Sequence, residues 1–166
     1  MLKVENLSTS YKTIDGDVHV LKDLNFEIYE NEIFGIAGES GCGKTTLLKV
    51  LYDIIDFPLK IDGGRVLLSG KKNGDSFSYE SGTIREAWWK NISYVPQAAQ
   101  SVLNPISRLK SQFLDSIPEE DKRSETKEET LERVARYLEE LSLSRDLLHA
   151  FPFQLSGGMR QRVMIA

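Results

Sequence analysis

The pattern of apolar and polar positions changes character near the middle of the chain. Up to about residue 97 the apolar residues alternate with polar ones or form short runs, which predicts strands. The unbroken run Ile33–Ala37 is typical of a strand buried on both faces of a mainly parallel sheet. A polar loop is predicted over 70–81. Predicted strands, in chain order, are 2–7, 18–21, 24–28, 33–37, 65–68 and 92–95.

Helical spacing of apolar residues dominates the second half. The clearest helix is predicted over 124–141, with Ser124 as its N-cap and one apolar stripe along its length. Other helices are predicted at 45–55, at 106–117 and after Ser156, where a Ser-Gly-Gly turn opens an amphipathic segment.

A phosphate-binding motif follows the run at 33–37. Residues Gly38–Thr45 read GESGCGKT, which satisfies G-x-x-x-x-G-K-[ST] between a predicted strand and a predicted helix. Glycines let successive backbone N–H groups curve around a phosphate, and the helix N-terminus adds its positive dipole end. Lys44 is expected to reach the β- and γ-phosphates, and the Thr45 hydroxyl to ligate Mg²⁺. Cys42 is interpreted as a small spacer residue.

With this loop and the later run Leu155–Arg162 (LSGGMRQR), the chain resembles the ATP-binding subunits of ABC transporters. The resemblance covers essentially the whole chain. It implies that Ser156, Gly157 and Gly158 contact the γ-phosphate of ATP held by a second subunit. Finer similarities indicate the oligopeptide/dipeptide (and nickel) importer branch. The stretches that carry them are 15–18, 38–41, 101–105 and 157–166.

The resemblance implies further site residues. Gln97 matches the family's Q-loop and would ligate Mg²⁺ together with Thr45, and Tyr11 matches an aromatic residue that stacks on adenine. No catalytic residue is assigned within the chain, although Lys44 would stabilise phosphate charge. The expected cofactors are ATP and Mg²⁺, and the remaining nucleotide contacts are expected at Gly38, Ser40, Gly41, Cys42, Gly43 and Thr46.

The implied fold class is α/β. It comprises a P-loop NTPase core with a mixed sheet around the phosphate-loop helix, an antiparallel N-terminal β subdomain and a small helical subdomain. Expected domains are the core at 1–97, the helical subdomain at 98–155, and the signature helix at 156–166 that starts the return to the core. The fold is expected to be incomplete, because the chain stops before the strand that ends in Asp-Glu and before the later histidine of the family.

This expectation has functional consequences. Without the water-orienting carboxylate, the chain is expected to bind ATP but to hydrolyse it poorly, although the family consists of ATPases. A truncated core is also expected to leave apolar surface at Leu47, at Leu51 and on the Val163/Ile165 side of the last helix, either exposed or paired with another chain.

Composition limits the expected partners and cellular location. The net charge is −4, without a basic run, so no nucleic-acid partner is expected. One cysteine excludes an internal disulfide and fits a reducing compartment. No apolar stretch approaches the ~20 residues of a membrane span. Expected partners are a second ATP-binding subunit, identical or not, arranged head-to-tail, and transmembrane permease subunits. The expected location is the cytoplasm, at the inner face of the membrane.

Three functions remain open at this point. The first is the motor subunit of an importer of peptides or a similar small solute. The second is an ABC-type ATPase of DNA maintenance, although the interval from Gln97 to Leu155 suits a compact helical subdomain better than a long coiled coil. The third is a nucleotide-binding interaction module without turnover.

Overall fold

The computed structural model describes residues 1–72, 74–96, 102–117 and 125–166. They divide into two compact units, Met1–Ser93 and Tyr94–Ala166, and each has its own hydrophobic core. Gln97 and the proposed cap Ser124 lie outside the described residues. The domain boundaries drawn at 97 and 155 remain predictions.

The first unit is an antiparallel sheet with strand order β2-β1-β3-β4. The β1–β2 hairpin turns at Ile14-Asp15, where Thr13 pairs with Gly16 and the Thr13 hydroxyl donates to the Gly16 carbonyl. The antiparallel β subdomain is thus present as predicted. The strands are β1 (Leu2–Thr13), β2 (Gly16–Ile28), β3 (Leu59–Lys72) and β4 (Asp75–Glu80).

One helix, α1 (Lys44–Leu51), contributes to the core of this unit. Leu47 and Leu51 are buried there with Val4 and Val66, so the expectation that these two leucines would be left exposed or paired with another chain is wrong. Burying a side chain of this size stabilises the fold by about 1.5–3 kcal/mol. The residues that cover this face of the helix thus come from strands of the same unit.

The predicted helix at 45–55 is too long. It ends at Leu51 because Asp53 adopts a left-handed backbone conformation, with φ 58°. The Asp53 carboxylate accepts a hydrogen bond from the Gly82 amide, and its carbonyl accepts one from Arg85 Nε. These contacts come from the distant 3₁₀ helix Ile84–Ala87 and the turn before it, which no local pattern announces.

Two strand predictions and one loop prediction are wrong. Residues 33–37 and 92–95 form no ladder, apart from an isolated bridge between Trp88 and Ile92. A buried parallel strand needs hydrogen-bonded neighbours on both sides, and the four described strands pair only with one another. Ile33 is therefore fully exposed. The predicted polar loop instead contains β4, which pairs with β3.

The second unit is helical. Its helices are α2 (Leu109–Ser116), α3 (Lys127–Glu140) and α4 (Gly157–Ile165), with 3₁₀ turns at Arg145–His149 and Pro152–Gln154. The predicted helices are present, with ends displaced by one to three residues. The N-cap of α3 is Thr126, whose hydroxyl accepts from the Glu129 amide while the Glu129 carboxylate accepts from the Thr126 amide.

The last helix belongs to the core of this second unit. Leu155 and Val163 are buried in one cluster with Leu109 and Leu138. Val163 is therefore covered, in contrast to the prediction, while Ile165 is 60% exposed. Arg162 adds a polar link, because its Nη1 donates to the carbonyl oxygens of Leu141 and Ser142 at the end of α3, at 2.9 and 3.3 Å.

Candidate functional site

The phosphate-loop motif forms an open turn that leads directly into α1. Gly41 and Gly43 both have positive φ, of 84° and 96°. A Cβ at Gly43 would lie 2.9 Å from Val20 Cγ1, so glycine is required there by backbone conformation and by close packing. The loop shape thus depends on β2, which carries Val20.

The N-terminus of α1 has no cap of its own. Gly43 occupies the N-cap position, no side chain accepts from the first turn, and no acidic residue lies in that turn. The first amides of a helix have no intrahelical partner and carry the positive end of the dipole. This arrangement favours an anion at the start of α1.

Lys44 folds back over the loop that precedes it. Its ammonium donates to the carbonyl oxygens of Gly38 and Glu39 at 2.7 and 2.6 Å, and it lies 3.5 Å from Cys42 Sγ. No carboxylate of the described residues pairs with it. Its charge is therefore balanced only by carbonyl dipoles, which leaves it able to attract a phosphate.

Other predicted residues of this site take different positions. The Tyr11 hydroxyl lies 3.2 Å from Thr46 Oγ1, and its ring is partly buried against the core. Thr46 is buried, whereas Thr45 and Ser40 are exposed. The structure thus brings Tyr11, the glycine loop and Lys44 to the same end of α1. Gln97, the other predicted magnesium ligand, lies outside the described residues.

The second predicted anion turn opens α4 in the second unit. Ser156 is the N-cap, and its Oγ accepts from the Met159 amide at 3.3 Å. Ser156 is exposed, and a Cβ at Gly158 would meet no atom within 4 Å. The first turn has no acidic residue. The turn is accordingly accessible and electropositive, and its hydroxyl already satisfies one amide.

Sequence reasoning missed the role of Arg162, which fixes α4 to the last carbonyls of α3. A basic residue placed after a serine-glycine turn gives no local signal of that distant contact. Sequence reasoning also interpreted Cys42 as a spacer residue, whereas the Cys42 thiol contacts the Lys44 ammonium.

No helix among the described residues is both long enough and apolar enough to cross a membrane. Those residues also contain no group of three or more His, Cys, Asp or Glu side chains that could hold a metal ion.

Comparison with known proteins gives consistent results. The dipeptide transport ATP-binding protein DppD of Caldanaerobacter subterraneus subsp. tengcongensis is 34% identical over all of this chain and half of its own length. The oligopeptide transport ATP-binding protein OppD of Escherichia coli K12 is 33% identical, again over the whole chain and 48% of its own length. The chain spans about half the length of the curated relatives it matches.

Solved structures of similar proteins point to the same kind of protein as these relatives. The dimeric structure of MJ0796, a bacterial ABC transporter cassette, matches with a TM-score of 0.75 and 27% identity, over 99% of this chain and 67% of the cassette. A post-hydrolysis dimer of the same cassette, bound to ADP and Pi, matches with a TM-score of 0.69 and 26% identity, over the same shares of both chains. The fold class predicted from the sequence is thereby confirmed. The family model described as ABC transporter matches residues 21–166, and the chain belongs to the ABC transporter family.

Proposed function

We propose that the chain is the ATP-binding part of an importer for peptides or a similar small solute. The peptide assignment is supported by the relatives, which are named as dipeptide and oligopeptide transport ATP-binding proteins. ATP binding is supported by the geometry at the start of α1. The observation that carries it is the Lys44 ammonium, which lies over the loop before an uncapped helix N-terminus and has no acidic partner among the described residues.

In this proposal the backbone amides of residues 38–46 surround the phosphates. Lys44 exchanges its two carbonyl partners for β- and γ-phosphate oxygens, and this exchange replaces neutral acceptors with charged ones. The exposed Thr45 hydroxyl and Gln97 ligate Mg²⁺, and Tyr11 supports the adenine. The Ser156–Gly158 turn contacts the γ-phosphate of ATP on a second ATP-binding subunit, and permease subunits bind the assembled pair at the inner face of the membrane.

ATP titration by calorimetry, with magnesium, tests this function. Lys44→Ala is expected to weaken binding by roughly tenfold to a hundredfold, the equivalent of one charge-assisted hydrogen bond or somewhat more. Lys49→Ala is the matched control, because Lys49 is an exposed lysine on the same helix. Equal affinities for wild type and Lys44→Ala would contradict the proposal.

We also infer that ATP turnover by these 166 residues is slow. The supporting observation is local: among the described residues, the Lys44 ammonium contacts carbonyl oxygens and the Cys42 thiol, and no carboxylate pairs with it. A steady-state phosphate-release assay with Mg²⁺ and saturating ATP measures this directly. A rate within the usual enzyme range of about 1–10³ s⁻¹ would refute it.

A further inference from the structure

One pair of hydroxyl groups joins the sheet of the first unit to the start of α1. The Tyr11 hydroxyl and Thr46 Oγ1 form a hydrogen-bonding contact at 3.2 Å, in which either group can donate. Thr46 is only 7% exposed, so water has little access to replace Tyr11 as its partner. Removal of the Tyr11 oxygen would therefore leave a buried hydroxyl without this partner, which is unfavourable.

The Tyr11 ring is held in place by three adjacent strands. Tyr11 lies on β1, directly opposite Val18 of β2 and Leu59 of β3. Directly opposed residues share a face of the sheet, and their side chains interact. The ring also packs against the core cluster that contains Leu59 and, from α1, Leu47. Because packing fixes the ring, the hydroxyl at its end is presented to α1 at a defined position.

Thr46 lies in the uncapped first turn of α1. The Leu47 amide donates to the Gly43 carbonyl at 2.8 Å, so the amides of the three preceding helix residues, with Thr46 as the last of them, lie ahead of the helical hydrogen bonds. These are the amides that a phosphate at this helix end would bind. A contact that fixes Thr46 therefore also fixes the donors that the proposed phosphate site uses.

We propose that Tyr11 is a positioning residue for the phosphate site, and that its hydroxyl acts through Thr46 to hold the first turn of α1 on the sheet. This inference rests on the proposed function, because it requires a phosphate at the start of α1. It gives Tyr11 a role distinct from support of the adenine. Support of a base needs the aromatic ring alone, whereas positioning of the helix needs the oxygen atom.

Calorimetric titration with Mg²⁺, using ATP and inorganic triphosphate as separate ligands, tests this role. Tyr11→Phe keeps the ring and loses the oxygen. It is expected to weaken the binding of both ligands by about threefold to tenfold, the equivalent of one neutral hydrogen bond. Thr46→Val keeps the side-chain shape without the hydroxyl and is expected to give the same loss. Thr46→Ser keeps a hydroxyl and is expected to retain most of the affinity.

Two matched variants control for the loss of a hydroxyl elsewhere. Tyr29→Phe removes a tyrosine hydroxyl that donates to the Glu27 carboxylate at 2.7 Å. Thr130→Val removes the hydroxyl of a buried threonine in α3, which donates to the Glu125 carboxylate at 3.3 Å. Both variants should bind ATP and triphosphate like wild type. Losses equal to that of Tyr11→Phe would mean that the effect is not specific to the start of α1, and would overturn the proposal.

A double-mutant cycle tests whether Tyr11 and Thr46 act as one unit. Tyr11→Phe and Thr46→Val break the same hydrogen bond, so the combined variant should bind triphosphate no more weakly than either single variant. Losses that multiply in the combined variant would show that the two hydroxyl groups act independently, which contradicts the proposed route through Thr46.

The outcomes separate this inference from the proposed function. If Lys44→Ala leaves the affinity for ATP and triphosphate unchanged, the proposed function fails. If Lys44→Ala weakens binding while Tyr11→Phe binds both ligands like wild type, only the role of the Tyr11 hydroxyl fails. A loss in Tyr11→Phe for ATP but not for triphosphate would limit the hydroxyl to the base and overturn the proposal. Should Thr46→Val not fold, Tyr11→Phe and Thr46→Ser supply the comparison.

Discussion

Three helix N-termini in this protein differ in how far the chain itself completes them. At α3, the Thr126 hydroxyl and the Glu129 carboxylate satisfy the first turn, so the helix carries its own anion. At α4, the Ser156 hydroxyl alone accepts from the first turn. At α1, no side chain accepts a hydrogen bond from the first-turn amides, and the Lys44 side chain lies over the preceding loop.

The difference teaches which N-termini are available to a ligand. A helix end that is already neutralised by its own carboxylate has little to gain from a phosphate, whereas an uncapped one has the most to gain. This reasoning predicts that α1 would bind a phosphate most strongly, that α4 would be a weaker site which requires a phosphate held elsewhere, and that α3 would have a structural role only.

Among the variants at these helix N-termini, Gly43→Ala is expected to have the largest effect on stability and on ATP binding. The new Cβ would lie 2.9 Å from Val20 Cγ1 and 3.1 Å from Leu21 Cδ2, at a φ of 96°. Left-handed backbone strain and the close contact together should lower the free energy of unfolding by about 2–3 kcal/mol and distort the loop. Urea unfolding and ATP titration measure the two effects.

Gly41→Ala is the control for that variant. Gly41 also has a positive φ, of 84°, but its Cβ would meet no atom within 4 Å. Only the backbone strain remains, at about 1–2 kcal/mol. Equal losses for the two variants would mean that the contact with β2 does not shape the loop.

Ser156 separates capping from ligand binding at α4. Ser156→Ala removes the acceptor of the Met159 amide and should cost about 1 kcal/mol of stability. Ser156→Asp keeps an acceptor and suits the helix dipole, so the fold should stay stable, yet its charge repels a phosphate. ATP-dependent association should therefore be lost in Ser156→Asp, and its persistence would argue against phosphate binding at this turn.

Gly158→Ala should change stability and binding in opposite directions. The added Cβ lies in open space, and alanine is favoured over glycine in a helix, so stability should rise by about 0.5–1 kcal/mol. If the proposed function is correct, the same methyl group would obstruct a partner's phosphate at the turn. Thermal melts should show the rise in stability, and sedimentation with ATP should show the loss of association. Unchanged association would mean that the phosphate binds elsewhere.

The smallest effect is expected at α3, through pH. Hydrogen bonds from the Thr126 amide, and then from its hydroxyl, lower the pKa of Glu129 below its ordinary value of 4.5. A lowered folded-state pKa means that this stabilisation is present above pH 4.5 and is lost as the pH falls through the lowered value. Thermal melts of wild type and Glu129→Gln between pH 7 and pH 3 should therefore converge at the acidic end. A constant difference between them would contradict the assignment.

Local sequence patterns predicted strands in the first unit, the helices and both glycine turns, whereas the antiparallel β subdomain was implied by the family resemblance. They worked where the determining interactions are close in sequence, as in the alternation along β2 or the serine that precedes two glycines at α4. They failed at 33–37, where five consecutive apolar residues indicate a buried strand although no described strand pairs with them. They also missed β4, whose polar residues pair with β3 at the sheet edge.

For the candidate site, the sequence by itself predicted the glycine turns, the lysine and the helix starts, because these features are encoded within a few positions. Tertiary structure decided how each site is completed. The packing of Val20 on Gly43, the Tyr11–Thr46 hydrogen bond and the contact of Arg162 with α3 join residues that are distant in sequence. Such contacts depend on how strands and helices pack, so they leave no local pattern, whereas backbone conformation and capping chemistry do.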